Sequence, residues 1–470
     1  MRDKQNPIVE VFKIFGLHGY KDVTIDFPDP AKIIIAENGS GKTTILTALD
    51  AFLRSDYFRL YTIEFEKIVC KFSQSREEIS LNKKDIASIA KPYFGEAMKQ
   101  IEQFSNFSTN EIYEFITSQY RPEESNTWMQ AGVASDIYVS SPFDWDEIKQ
   151  HLDELKTEIK NVYNDELKYV NNQVAQSLTG IDILYLPTYR RVEKPIKIES
   201  QKARQRRIPS FGRVARRQRF SEPGIQYGLD DVQSKLIELS QEIHRRTNDG
   251  YRNISKEIID DLLAGGITEY GGGSPSLPDL NVLKRFFSRV GDISDVQVAS
   301  IERVYKKNPE STDSSEASQL LYFLSKLSTV VNKTYQLEST IEEFATISNA
   351  YLESTSDKKS LVYDPVNMAV SVVDSWTGAN LTLNDLSSGE KQVVSLIAHL
   401  YLEPRDKIVL IDEPELSLSI EWQKKILPDI MRSPCCKQLL AITHSPFIFD
   451  NEMDQLTTSL DVKRRHLADD

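Results

Sequence analysis

The chain has 470 residues, 40% of them hydrophobic, enough for roughly two to four domains with buried cores. Its formal net charge of −13 means that any nucleic-acid surface has to be local. Cys70, Cys435 and Cys436 lack C-x-x-C spacing and support neither a disulfide framework nor a zinc site; no apolar leader or long apolar run is present, so the expectation is a cytoplasmic protein without a membrane partner.

In chain order, Ile8–Phe15 and Asp22–Phe27 cluster β-branched and aromatic residues around Gly16 and Gly19, which predicts an antiparallel strand pair. A third strand, Lys32–Ile35, runs into Ala36-Glu37-Asn38-Gly39-Ser40-Gly41-Lys42-Thr43-Thr44. This is the phosphate-loop pattern G-x-x-x-x-G-K-[ST] with Ala36 in place of the first glycine. Gly39 and Gly41 would let backbone N–H groups approach a polyphosphate, Lys42 would reach its β- and γ-phosphates, and the Thr43 hydroxyl would hold Mg²⁺. A chance Gly-rich turn is the plain alternative, and the strand–turn–helix setting argues against it.

More than 300 residues separate this loop from the next motif, so a large insertion is expected. Apolar residues recur at helical spacing in three sets: Ile148, Leu152, Leu155, Ile159, Val162; Leu229, Val232, Leu236, Leu239, Ile243; and Leu320 through Phe344. None persists long enough to demand an extended coiled coil, and a compact helical lobe or short arm is predicted. Between the first two sets, Ile181–Leu186 reads as a strand ending at Pro187, followed by Arg190 and Arg191. From Arg190 to Arg219 twelve basic residues, among them Arg204, Arg206, Arg207, Arg216 and Arg217, face two acids. This island could neutralise a DNA backbone, dock on a protein, or be an idle loop.

After a strand at Ala369–Val373 comes Leu386-Ser387-Ser388-Gly389-Glu390-Lys391-Gln392, small residues opening a helix, with Ser387 and Glu390 spaced as a capping box. Lys407–Ile411 is an apolar strand ending in Asp412 and Glu413, placed as a Walker B pair: Asp412 to complete the Mg²⁺ shell, Glu413 to polarise the attacking water. Gln438–Thr443 is a last strand, with His444 at its end.

The hairpin before an N-G-x-G-K-T-T turn, the S-S-G-E string, the Asp-Glu pair and the strand-terminal His occur in the order found in ABC-type ATPases of the RecF, SMC and OLD-like group, which the chain resembles. The resemblance covers roughly residues 7–50 and 365–450, with an echo at 181–191. It implies an α/β fold: an ABC-type P-loop ATPase head, a mixed sheet with an antiparallel N-terminal β-hairpin, carrying a large mainly helical insertion. The expected division is 1–95, 96–180, 181–225, 226–362 and 363–470, the first and last parts forming the head. It further implies an ATP site at Asn38 to Thr44, a signature (Ser387, Ser388, Gly389, Glu390) that reaches ATP on another copy, catalysis by Glu413, a γ-phosphate switch at His444, and phosphate contacts from Arg190 and Arg191. Glu415–Leu418 falls at the D-loop, where Ser417 and Ser419 stand in place of the family's usual His.

OLD-family nucleases continue past the switch into a Toprim domain, whereas this sequence runs 26 residues beyond His444. The chain therefore looks most like the ATPase subunit of two-gene anti-phage systems, PARIS foremost, with Septu-type and retron-associated ATPases as neighbours. That likeness implies a homo-oligomer, at least dimeric, that binds ATP and Mg²⁺, holds a separate nuclease effector, often Toprim-type, and releases it on sensing a phage-encoded trigger. The alternative is a RecF- or SMC-like ATPase that clamps DNA for repair.

Overall fold

The computed structural model describes residues 6–37, 39–87, 95–104, 112–113, 115–116, 120, 137–138, 144–162, 165–187, 229–263, 277–290, 295–306, 315–403 and 405–465. Asn38 and the basic segment, with Arg190, Arg191, Arg204, Arg206, Arg207, Arg216 and Arg217, lie outside these residues. The chain divides into two compact units: residues 1–226 with 405–470, and residues 227–404. The S-S-G-E string lies in the second of these units.

The first unit begins with β1 (Val9–Leu17), β2 (Lys21–Asp26) and β3 (Ala31–Ile35), then α1 (Lys42–Leu53), α2 (Tyr57–Thr62), β4 (Lys67–Phe72) and β5 (Ile79–Asn82). Helices α3 (Glu96–Phe104), α4 (Trp145–Val162) and α5 (Asp165–Ser177) follow, then β6 (Ile181–Leu186). Ile148, Leu152, Leu155 and Ile159 of α4 are buried together, as their spacing requires.

The second unit holds α6 (Leu229–Leu263), α7 (Leu280–Val290), α8 (Asp295–Lys306) and α9 (Ser315–Leu352), then the antiparallel strands β7 (Lys359–Asp364), β8 (Ala369–Asp374) and β9 (Asn380–Leu381), and α10 (Ser388–Tyr401). At 35 and 38 residues, α6 and α9 are longer than the periodic sets predicted. The apolar stripe is interrupted by the buried polar residues Thr247, Thr334 and Glu338, and the helices continue through them. Glu338 is tolerated there because Arg289 of α7 pairs with both its carboxylate oxygens.

The chain then returns to the first unit through β10 (Asp406–Asp412), α11 (Ile420–Arg432), β11 (Cys436–Thr443), β12 (Thr457–Ser459) and β13 (Asp461–Arg464). The expected hairpin is present: β1 and β2 pair antiparallel inside a five-stranded sheet ordered β13-β2-β1-β4-β5. A second five-stranded sheet, β12-β3-β11-β10-β6, is parallel throughout. Its central strands are buried on both faces, which is why Ile33, Ile34, Val409, Leu410, Leu440 and Ile442 read as continuous apolar runs. Buried Gln438 of β11 joins the two sheets: its Oε1 accepts the Ile8 and Val9 N–H groups at 2.9 and 2.8 Å, and its Nε2 donates to the Val9 carbonyl at 2.9 Å. Among the described residues no helix is long and apolar enough to cross a membrane.

Candidate functional site

Strand register assembles the site. In the parallel sheet Thr443 pairs with Ile35, and Ile442 pairs with both Ile34 and Asp412. Strands β3, β10 and β11 therefore end side by side, and their next residues, Ala36, Glu413 and His444, emerge at the carboxyl edge of one sheet, where open α/β sheets bind ligands. The Ala36 N–H donates to the Thr443 carbonyl at 3.2 Å, and that of Glu413 donates to the Ile442 carbonyl at 2.9 Å. Ala36 packs into the main apolar cluster, so a methyl is accommodated where the motif has glycine.

The turn itself needs its two later glycines: Gly39 and Gly41 have φ of 79° and 95°, and a Cβ on either would meet nothing within 4 Å. The loop is thus a left-handed backbone bordered by open space, not a packed corner. Helix α1 starts at Gly41 with no side-chain cap and no acid in its first turn, so the positive end of its dipole lies at the glycine turn.

Lys42 follows and is nearly buried, its Nζ 2.9 Å from Glu413 Oε1. The Thr43 hydroxyl donates to Asp412 Oδ2 at 2.5 Å, and Asp412 is fully buried. The residues read from the two motifs as phosphate ligand and water-polarising base are thus in direct contact, as are the two read as Mg²⁺ ligands, the latter across 369 positions of sequence. A hydroxyl and a carboxylate are the hard oxygen donors Mg²⁺ prefers, beside a backbone turn that leaves room for phosphate, so the residues present fit a Mg²⁺–nucleotide. Glu413 has a φ of 49°, uncommon for a non-glycine residue, at the turn that swings its carboxylate to Lys42.

His444 Nδ1 lies 3.0 Å from Glu415 Oε1 and 3.7 Å from Glu413 Oε1. Glu415 was not singled out by motif reading, since nothing in D-E-P-E distinguishes a third carboxylate from a turn residue. Ser417 adopts a φ of 63°, and Ser419 caps α11 by accepting the Trp422 N–H. On α1, Asp50 is fully buried and pairs with Arg54 at 2.7 Å and Arg59 at 2.6 Å, and Thr47 lies 3.2 Å from Tyr185 of β6. Burial pushes the Tyr185 phenol up to about 12, so it stays neutral in this packing.

In the second unit the S-S-G-E string is held by two consecutive caps. Asp385 accepts the Thr382 N–H and hydroxyl, both at 2.8 Å. Glu390 then accepts the Ser387 N–H at 2.6 Å while Ser387 Oγ accepts the Glu390 N–H at 3.4 Å. The capping-box spacing seen in sequence is therefore real. Glu390 is only 3% exposed and also pairs with Lys359 of β7 at 3.0 Å. Its carboxylate turns inward, whereas Ser387 and Ser388 are exposed and Gly389 partly so. Lys359 carried no sequence signal.

A family model described as AAA ATPase domain (AAA_15) matches residues 8–449, spanning both motif regions. The chain belongs to this AAA ATPase domain family. Two solved structures, an Smc head bound to the C-winged helix domain of ScpA, and an Smc head with an extended coiled coil bound to the C-terminal domain of ScpA from Pyrococcus furiosus, are similar at 11% and 12% identity. The first covers 98% of each chain with a TM-score of 0.35; the second covers 98% of this chain and 97% of the other with a TM-score of 0.33. No curated protein matches the chain significantly. For this AAA ATPase domain protein, the nucleotide-binding class expected from the phosphate loop is thereby established at the level of family.

Proposed function

We propose that the chain is an ABC-type ATPase that hydrolyses ATP to ADP and phosphate between two copies of itself. The observation that carries this reading is the junction of Lys42 with Glu413 and of Thr43 with Asp412 beside an uncapped helix start. Backbone N–H groups of residues 39–44 and the end of α1 receive the phosphates. A γ-phosphate competes for the Lys42 ammonium, and Glu413, relieved of that partner, is available to orient water. Thr43 and Asp412 would hold Mg²⁺, whose charge would neutralise that gathering on the phosphate oxygens. Ser387, Ser388 and Gly389 of a second copy close over the nucleotide; because each chain carries both surfaces, the assembly is symmetric and at least dimeric. Glu413→Gln should retain ATP, hold the dimer together and lower kcat by about 10²–10⁴-fold, whereas Lys42→Ala should lose nucleotide binding. Wild-type turnover in both variants would refute the assignment.

The wider role we propose is that of a sensor and scaffold in a two-component anti-phage system, holding a separate nuclease effector until a phage protein is sensed. The order of motifs and the S-S-G-E form support it. Co-purification with the product of a neighbouring nuclease gene, dependent on Lys42, is the expected result. Salt-sensitive DNA binding that stimulates ATPase activity, with no captured nuclease, would instead favour a DNA-clamping role.

A further inference from the structure

Three carboxylates end or follow β10, and the structure gives each a different task. Asp412 meets Thr43, Glu413 meets Lys42, and Glu415 turns away from both toward the end of β11. The turn that achieves this is built from the backbone: Glu413 at positive φ, Pro414, the Leu416 N–H on the Glu413 carbonyl at 3.2 Å and the Leu418 N–H on the Glu415 carbonyl at 3.1 Å. Glu415 is 7% exposed, and burying a carboxylate is costly unless it is hydrogen-bonded. Its Oε2 accepts the Thr443 hydroxyl at 2.8 Å, while Oε1 accepts the His444 backbone N–H at 3.1 Å and faces His444 Nδ1 at 3.0 Å.

We infer that Glu415 is a positioning residue that fixes the ring orientation and tautomer of His444, and so acts in ATP hydrolysis through that histidine. A carboxylate oxygen 3.0 Å from Nδ1 requires the hydrogen on Nδ1, leaving Nε2 as the nitrogen that accepts a hydrogen bond. A second tie runs parallel: Gln423 of α11 donates to the Leu418 carbonyl at 3.0 Å and accepts the Ser445 hydroxyl at 2.8 Å. The loop after Glu413 and the loop after β11 are therefore bound together on both sides of His444. Two glutamates approach one imidazole, and the nearer one, buried and held by the Thr443 hydroxyl and the His444 N–H, is placed to set its geometry.

The inference rests on the ATPase reading, and its test separates the two. Glu415→Gln keeps the side-chain shape. It should leave KM and ATP affinity within about twofold of wild type while lowering kcat roughly ten- to hundredfold, the range typical when a supporting carboxylate behind a functional histidine is lost. Adding Glu415→Gln to His444→Ala should slow the enzyme no further than His444→Ala alone. Without nucleotide, imidazole ¹H–¹⁵N spectra, assigned by comparison with His444→Ala, should show His444 protonated at Nδ1 in the wild type and redistributed toward Nε2 in Glu415→Gln. If Glu415→Gln folds too poorly to assay, Thr443→Val removes one donor from the carboxylate and should lower kcat without raising KM. An unchanged kcat, multiplying losses in the double variant or an unaltered tautomer would overturn the inference alone. A folded wild-type chain without ATP turnover would overturn the ATPase reading and this inference with it.

Discussion

Two helix starts carry the candidate machinery, and they are finished in opposite ways. Helix α1 begins at a left-handed glycine with no side-chain cap and no acid in its first turn. Helix α10 begins with a complete capping box whose glutamate, inside the first turn, already answers the positive dipole end. The first has no acid of its own at the positive end of its dipole. The second has its own anion built in, with Ser387 and Ser388 exposed beside it. Of the four residues read as a signature, Glu390 is turned inward to Ser387 and Lys359, while Ser387 and Ser388 are exposed.

The largest way to break this contrast is to give α1 an anion of its own. Gly41→Asp places a carboxylate where phosphate would sit, at a backbone conformation that Asp tolerates better than most residues. ATP affinity should fall by more than about 100-fold with the fold retained, measured by calorimetry alongside thermal unfolding. Removing the internal anion of α10 should instead cost stability. Glu390→Ala deletes a cap and removes the carboxylate partner of the Lys359 ammonium, so a loss of roughly 2–4 kcal/mol in denaturant unfolding is expected, with ATP affinity of the single chain unchanged. An ATP affinity that followed Glu390 would mean that the two helix starts are not independent.

The smallest effect concerns pH. Hydrogen bonds from the Thr382 N–H and hydroxyl hold the Asp385 carboxyl below its ordinary value. A depressed carboxylate contributes stability that is fully present above its unfolded value near pH 4 and fades as pH falls through the lowered folded value. Asp385→Asn should therefore flatten the acid limb of stability below about pH 4 and change little at neutral pH.

Much of the site was legible because phosphate chemistry restricts both residue type and spacing. Lys42, Thr43, Asp412 and Glu413 had to follow apolar strands, and β3 and β10 are buried on both faces, so they stand out as runs. The inward turn of Glu390 was half visible in its spacing to Ser387, but its partner Lys359 lies 31 positions away on another element. Glu415 was hidden for a related reason: its place beside His444 depends on a left-handed Glu413 before a proline, a backbone state that no side-chain pattern encodes. Helix α6 was underestimated because buried Thr247 interrupts its apolar periodicity after Ile243, whereas α9 runs past the Leu320–Phe344 set at both ends. The short strands β12 and β13 offered too few residues for any period.

Gln438 has a consequence for the order in which this unit opens. Its amide supplies to Ile8 and Val9 the bonds that a neighbouring strand would give, although it belongs to the parallel sheet. In hydrogen–deuterium exchange these two amides should accordingly keep time with the core strand β11, opening only with it, and not with the fraying end of the hairpin that contains them.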